Sequence, residues 1–364
     1  MPEQRLSSDR ETEDARPDDD EIGSGLRATL RCTFSGIRHP WTVSKIVLVT
    51  GGAGYVGSIV VDELLRRGQR VRALDALLHG SVSSLLQSWS NPDFEFVRGD
   101  VRDASIRSDA LQDVAAVVHL AAIVGDPACS RQPELAREVN LEATKALLDD
   151  AERAGVERFL FASTCSNYGR MNGSGYADEE LELRPISLYA ETKVAAELEV
   201  LGRNGSLAPT CLRFATVYGT SPRMRFDLTV NEFTRDLTLG EKLIVFGEQF
   251  WRPYVHVRDA ARAIATVLDA PVAEVSGEVY NVGDTAENYR KVDIVELLRE
   301  RFPDADVEFV HRDEDPRDYR VSFDKFSQQR GFKAEHSVAQ GIDEVIALVR
   351  SGLLDDPFAP AYKN

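Results

Sequence analysis

From Lys45 onward, short apolar runs alternate with stretches of helical period. "KIVLVT" reads as a buried strand and "VGSIVVDELLRRG" as an amphipathic helix. "RVRALD" and "FEFVRGD" are further strands, and "VAAVVHLAA" is apolar throughout, which suits the middle of a parallel sheet. "PELAREVNLEATKALLDDAERAG" has the period of a long amphipathic helix. Then come the strand "RFLFAST", the helix "SLYAETKVAAELEVLGR" and the strand "TCLRFATVYG". Strands alternating with helices predict an α/β fold with a doubly wound parallel sheet.

Beyond about Thr220 the alternation loosens. "FDLTVNEFTRDLTLGE", "VRDAARAIATVLDA" and "VDIVELLRERF" read as helices, and "LIVFG" as a short strand. The expected organisation is a sheet domain over 44–220, with later returns to its sheet, and a smaller C-terminal α/β lobe over 221–364 that binds substrate. Residues 1–43 stand apart. "MPEQRLSSDRETEDARPDDDEIG" is acidic and without period, which predicts disorder. Deleting residues 1–40 is expected to leave cofactor binding and turnover nearly unchanged, because no chemistry is placed there.

Composition narrows the partners. The 364 residues carry 43 Lys and Arg against 60 Asp and Glu, a net charge of −17. Such a chain repels nucleic acid, while a local positive site still admits a small phosphorylated ligand. Cys32, Cys129, Cys165 and Cys211 are scattered, with no CxxC and no His cluster at metal spacing, so no metal is expected. Reduced thiols, no apolar run of membrane length and no hydrophobic leader point to a cytoplasmic protein.

The chemistry begins at "GGAGYVG", between the first strand and the first helix. In G-x-x-G-x-x-G, Gly51 permits the sharp turn, Gly54 lets backbone approach a pyrophosphate, and Gly57 lets the helix pack on the sheet. The helix N-terminus then offers free N–H groups to phosphate. This is the dinucleotide fingerprint of a Rossmann-type sheet. Asp75 ends the second strand, where a carboxylate accepts from both ribose hydroxyls and repels a 2′-phosphate. No arginine follows it directly, so NAD is expected rather than NADP. Asp100 ends the next strand, in position to face the adenine.

Tyr189 and Lys193 in "SLYAETK" are one turn apart on one helix face. An ammonium beside a phenol favours the phenolate, which can take a proton from a sugar hydroxyl while a nicotinamide takes the hydride. Thr164 ends the "RFLFAST" strand, at the sheet edge where ligands bind.

With these residues in order, the chain resembles the extended short-chain dehydrogenase/reductases, in particular the NAD-dependent nucleotide-sugar epimerase/dehydratase group. The resemblance rests on "VTGGAGYVGS", "VRGDVRD", "VVHLAA", "FASTCSNYG", "YAETK", "LRFATVYG", "RPYVHVRDAARA" and "YNVGD", and spans roughly Lys45 to Val349. It implies that Thr164, Tyr189 and Lys193 are catalytic. It implies cofactor contacts at Gly51, Gly54, Tyr55, Val56, Gly57, Asp75, Asp100, Val101, Leu120, Ala121, Ala122, Asn140, Tyr189, Lys193 and Phe214. It places a nucleoside diphosphate sugar, linked to UDP, dTDP or GDP, against Thr164, Asn231, Ile244, Phe246, Arg252 and Arg317. Arginine forks suit diphosphate oxygens, and Phe246 offers a face to a base. The resemblance also implies a homodimer, through a bundle of the helices around Leu135–Ala154 and Leu188–Leu201.

In that group, dehydratases carry Asp-Glu after the strand-end Ser/Thr, and decarboxylases carry a nearby glutamate. Here Cys165, Ser166 and Asn167 follow Thr164. The expected reaction is therefore a 4-epimerase-like one, with a 4-keto-sugar reductase as the runner-up and a dehydratase or decarboxylase less favoured. A non-catalytic NAD-binding scaffold or sensor is disfavoured because Tyr189 and Lys193 are both kept. The segment "AAIVGDPACS", Ala121 to Ser130, departs from the common 4-epimerase pattern, and Asp126 and Cys129 in it either contact substrate or cap the following helix.

Overall fold

The computed structural model describes residues 45–79, 81–171, 175–203, 205–312 and 318–364. The N-terminal extension and Arg317 lie outside the described residues, and so do the expectations placed on them.

The strands are β1 (Ile46–Thr50), β2 (Arg70–Asp75), β3 (Phe94–Arg98), β4 (Val114–His119), β5 (Arg158–Thr164), β6 (Ala208–Phe214), β7 (Thr216–Tyr218), β8 (Leu243–Phe246), β9 (Trp251–His256), β10 (Glu278–Val282), β11 (Asn288–Arg290) and β12 (Val307–Val310). Seven of them form one sheet in the order β10-β6-β5-β4-β1-β2-β3. All its pairings are parallel. Apolar β1 and β4 lie side by side at its centre, and every residue of β1 is buried. The order reverses between them, which opens a crevice at their carboxyl ends.

The helices are α1 (Gly57–Arg66), α2 (Ala104–Ala110), α3 (Asp126–Arg131), α4 (Pro133–Arg137), α5 (Ala143–Arg153), α6 (Leu188–Leu201), α7 (Thr229–Thr238), α8 (Val257–Asp269), α9 (Val272–Val275), α10 (Lys291–Arg299), α11 (Asp324–Arg330) and α12 (Val338–Arg350). A wide turn of π geometry, Glu138–Glu142, joins α4 to α5. On one sheet face, Val60, Val61 and Leu64 of α1 share a core with Ala260, Ala261 and Ile264 of α8. On the other, Leu147, Leu148 and Ala151 of α5 and Ala196 and Val200 of α6 pack on Leu48, Val117 and Phe159.

The C-terminal part divides itself between two bodies. α7, α10 and α12 bury Val230, Phe233, Ile294, Leu298 and Ile342 in a core of their own. A three-stranded sheet β11-β9-β7 and the pair β12-β8 complete that lobe. β10 instead extends the large sheet, running parallel to β6, and α8 covers it. The apolar face of α8 needs a sheet to bury it, and β6 supplies an open edge for β10.

Candidate functional site

The glycine turn sits at the crevice. Gly51 has φ +72°, and a Cβ there would lie 2.9 Å from the Ala121 amide nitrogen. The first turn therefore presses bare backbone against the end of β4. A Cβ on Gly57 would come within 2.0 Å of the Gly51 carbonyl, so the start of α1 also requires glycine. Gly54 meets only the Gly51 carbonyl, at 3.1 Å, and the rest of its surroundings are open. The cradle therefore has the shape that a pyrophosphate needs. Leu120 and Ala121 are tied to β1 through Thr50, at 3.1 Å to its carbonyl and 3.3 Å to its hydroxyl. Thr50 in turn bonds His119, whose other ring nitrogen bonds Thr144. Burial holds the His119 pKa down at about 3, so this ring is a neutral strut under the crevice.

Asp75 accepts from the Ala53 amide at 3.0 Å and the Leu77 amide at 2.7 Å. It thus braces the glycine turn from the place expected of a ribose ligand. Asp100 is held below the usual carboxylate range by hydrogen bonding to Arg102, against the opposing effect of burial. Val101 beside it is buried. Asn140 lies in the wide turn before α5. Its amide group bonds both the amide and the carbonyl of Ile123, at 2.8 and 3.0 Å, and so pins the divergent 121–130 segment. Val56 borders the cradle at the start of α1.

Thr164 and Phe214 are register partners at the ends of β5 and β6. The Thr164 hydroxyl accepts from the Ser166 amide at 3.1 Å and caps a short 3-10 turn, Cys165–Tyr168. α6 begins at Ser187, whose hydroxyl caps the Ala190 amide and donates to Asp126 at 2.6 Å. That cap sets Tyr189 in the first turn of the helix, and it links Asp126 of the divergent segment to the same spot.

Tyr189 and Lys193 lie one turn apart on α6, as expected, but the electrostatics of the phenol differ from the sequence reading. Lys193 Nζ donates to the Ala162 carbonyl at 2.8 Å and lies 4.6 Å from the centre of the Phe161 ring. Burial brings its pKa down to about 8. Burial pushes the Tyr189 phenol upward, Cys129 and Asp126 add to that, and Arg225 opposes it. The expected lowering of the phenol by Lys193 is therefore corrected: desolvation dominates both groups, and the ammonium is engaged with the strand beneath.

The expected substrate residues form a second group on the lobe. Ile244 and Phe246 of β8 are 45% and 44% exposed, open to a ligand. The Arg312 guanidinium lies 4.8 Å from the Phe246 ring centre. Arg252 is buried on β9, above the ring of Tyr319 at 5.6 Å. Asn231 is different in kind. It is fully buried, and its amide group bonds Gly219, the Tyr55 hydroxyl and the Arg225 carbonyl. Tyr55 likewise points into this knot, donating to the Gly219 carbonyl at 2.7 Å. Both side chains fasten the glycine turn to the lobe.

The sequence reading passed over Tyr319 and the arginines Arg223 and Arg225. Tyr319 lies 3.4 Å from Ser166, hydroxyl to hydroxyl, and its ring lies under the Arg252 guanidinium. It therefore stands between Arg252 and the catalytic candidates. Tyr319 follows Arg317, the residue that the resemblance implies, by two positions. Among the described residues, no group of three or more His, Cys, Asp or Glu is placed to hold a metal. No helix among them is long and apolar enough to cross a membrane. Cys129, Cys165 and Cys211 are free and buried.

Comparison with known proteins matches the same elements. Residues 47–283 match the family model described as the NAD dependent epimerase/dehydratase family. A low-salt glycan biosynthesis protein, Agl12 of Haloferax volcanii, is 30% identical over 306 residues, covering 82% of this chain and 97% of that protein. A dTDP-glucose 4,6-dehydratase from Streptomyces venezuelae, solved with NAD bound, superposes with a TM-score of 0.76 at 29% identity, over 84% of this chain and 97% of that one. A UDP-glucose 4-epimerase from Thermotoga maritima, solved with UDP-glucose, gives a TM-score of 0.75 at 28% identity, over 85% and 100% of the two chains.

Proposed function

As the chain belongs to the NAD-dependent epimerase/dehydratase family of extended short-chain dehydrogenase/reductases, and is thus an enzyme with NAD as its cofactor, we propose that it is an epimerase. It acts on a sugar linked to a nucleoside diphosphate, through a transient keto sugar. The observation that carries this reading is the turn after Thr164. The positions where an elimination needs carboxylates hold Cys165, whose thiol is buried and donates to the Arg213 carbonyl, and Ser166, which faces Tyr319. The relatives include both dehydratases and epimerases, and the acid-free turn supports the epimerase reading. Asp126 keeps the dehydratase as the second reading, because it is a carboxylate whose charge reaches Tyr189.

In this reading Gly51, Gly54 and Gly57 seat the pyrophosphate, Asp75 holds the adenosine ribose, and Lys193 reaches the nicotinamide ribose. The chemistry that bound NAD would supply is reversible hydride transfer at the sugar carbon. Tyr189 takes the hydroxyl proton of that same carbon and gives it back after the sugar has turned. Thr164 holds the reacting oxygen. Arg225 is the cation in the described structure that favours the phenolate of Tyr189. Arg252 and Arg317 bind the substrate diphosphate, and Phe246 with Ile244 meets the base.

The test is a panel of UDP-, dTDP- and GDP-sugars, with products identified by mass and stereochemistry. An epimerase gives a product of unchanged mass and leaves the nicotinamide absorbance unchanged. Loss of water establishes a dehydratase, and consumption of one NAD(P)H per sugar establishes a reductase. We place the enzyme in the cytoplasm as a homodimer, joined through α5 and α6, where Leu198 is 65% exposed. Sedimentation showing only monomer at micromolar concentration removes the dimer.

A further inference from the structure

The loop after β7, "GTSPRMRFD", carries two arginines that the glycine fingerprint does not call for. Arg223 and Arg225 are both buried, 5% and 9% exposed. Arg225 forms a two-pronged ion pair with Asp227, at 2.9 and 2.7 Å. Arg223 is less well provided for. Its Nη2 donates to the Lys363 carbonyl at 3.0 Å, while its Nε is buried with no partner among the described residues. Two guanidiniums thus face one side-chain carboxylate of their own segment. Burying a cation short of acceptors is costly unless something else supplies them.

The loop's fastenings say where that supply comes from. Ser221 Oγ donates to the Tyr55 carbonyl at 2.7 Å and lies 3.1 Å from Ser58 Oγ. Tyr55 donates to the Gly219 carbonyl. The loop is therefore tied to the first turn of α1, whose free N–H groups receive phosphate. The groups that feel the charge of Arg223 include Asp75 and His79, at the ribose end of the same crevice. Arg252 and Phe246 belong instead to β9 and β8 of the lobe.

We propose that Arg223, backed by Arg225, is a lobe-borne ligand for a diphosphate lying over the glycine turn, and that this diphosphate belongs to the dinucleotide. A guanidinium fork matches paired phosphate oxygens, and the missing acceptor for Nε is then a phosphate oxygen. Burial and the neighbouring Arg225 bring the Arg223 pKa down to about 10, and an anion placed there relieves both effects. The cofactor is in this way gripped from two sides, by backbone N–H groups of the sheet domain and by a charge from the lobe. The proposal rests on NAD being the cofactor.

The experiment uses the full chain as purified, in wild-type, Arg223→Gln and Arg223→Lys forms. Three readouts are the fraction of chains retaining dinucleotide through gel filtration, NADH and NADPH titrations by fluorescence, and ADP-ribose, UDP and dTDP titrations by calorimetry. Arg223→Gln is expected to weaken NADH and ADP-ribose about tenfold to a hundredfold. It should leave UDP, dTDP and the NADH/NADPH preference unchanged, and Arg223→Lys should recover part of the loss. Weakened UDP and dTDP with unaltered NADH would assign the charge to the sugar nucleotide and overturn the proposal. A loss confined to NADPH would assign it to a 2′-phosphate, with the same consequence. Unaltered binding of every ligand, with a lowered melting temperature, would make Arg223 a packing residue and also overturn it. A wild-type chain that binds no NADH is a separate failure, that of the cofactor itself.

Discussion

Glu197 and Arg213 face each other beneath the end of β5, with Arg213 Nε donating to the Glu197 carboxylate at 3.0 Å and both side chains buried. Glu197 also accepts from Ser163, the residue before Thr164, and Arg213 donates to the Tyr168 hydroxyl at 2.9 Å. The pair holds the strand end and the turn after it to α6. Removing one partner of a buried pair costs about 3–5 kcal/mol. Glu197→Gln and Arg213→Met should each show a loss of that order in urea denaturation. The double variant should recover part of it, because no lone charge is left behind. Single variants as stable as wild type would show that the pair contributes nothing to the turn.

Tyr189→Phe keeps the ring and removes the proton acceptor. General base catalysis is worth about 10²–10⁴-fold, so turnover on the true substrate should fall by that much while NADH and nucleotide still bind. Thr164→Ala should cost less, since water partly replaces a hydroxyl. Wild-type turnover in Tyr189→Phe would end the catalytic assignment, whichever sugar reaction the enzyme runs.

Acid sensitivity should trace in part to Glu344. Burial alone would raise its pKa, but hydrogen bonds from His256 and the Thr220 amide hold it at about 2, below its ordinary 4.5. A carboxylate depressed on folding contributes stability that is complete above its unfolded value and is lost as pH falls towards the folded one. The stability gap between wild type and Glu344→Gln should therefore be full and level above about pH 5.5 and shrink as pH falls below about 4.5. Denaturation curves at several pH values measure this, and a gap independent of pH would dismiss the assignment.

Asp75 has two duties that substitution can separate. Asp75→Ala removes the brace to Ala53 and Leu77 along with the expected ribose contact, and should weaken NADH and lower the melting temperature. Asp75→Asn keeps an acceptor for the brace and removes the negative charge. It should hold its melting temperature while discrimination against NADPH relaxes by about tenfold, the effect of roughly one charge-assisted contact. A wild type that prefers NADPH would refute the reading of this strand end.

The legible parts of this protein were those written locally. β1, the glycine turn and α1 follow one another within a few residues, so period and glycine spacing announce them together. The same holds for the helical run "SLYAETKVAAELEVLGR", which became α6. What distance in the chain concealed was assembled by tertiary contact. Arg223 and Arg225 have no periodic neighbours, and tertiary ties such as those of Ser221 and Gly219 to Tyr55 bring them over the crevice. Tyr319 reaches Ser166 across 153 positions of sequence. Asn231 matched a substrate position, yet its amide group is engaged by Gly219, Tyr55 and Arg225. The pairing of Tyr189 with Lys193 misread the electrostatics because spacing on a helix carries no information about the carbonyl of Ala162 beneath it.

β10 arrives in the large sheet only after β7, β8 and β9 have gone to the lobe. The two bodies are therefore interlaced along the chain and cannot be exchanged as cassettes. A chimera cut once near residue 220 would graft a foreign β10 against the native β6, and a fragment stopped there would leave the β6 edge bare and prone to self-association. A donor lobe that tolerates recombination has to bring its own matching β6, or else surrender residues 257–282 to the host. Substrate range in such a protein is expected to diversify by substitution within the lobe more readily than by wholesale replacement of it.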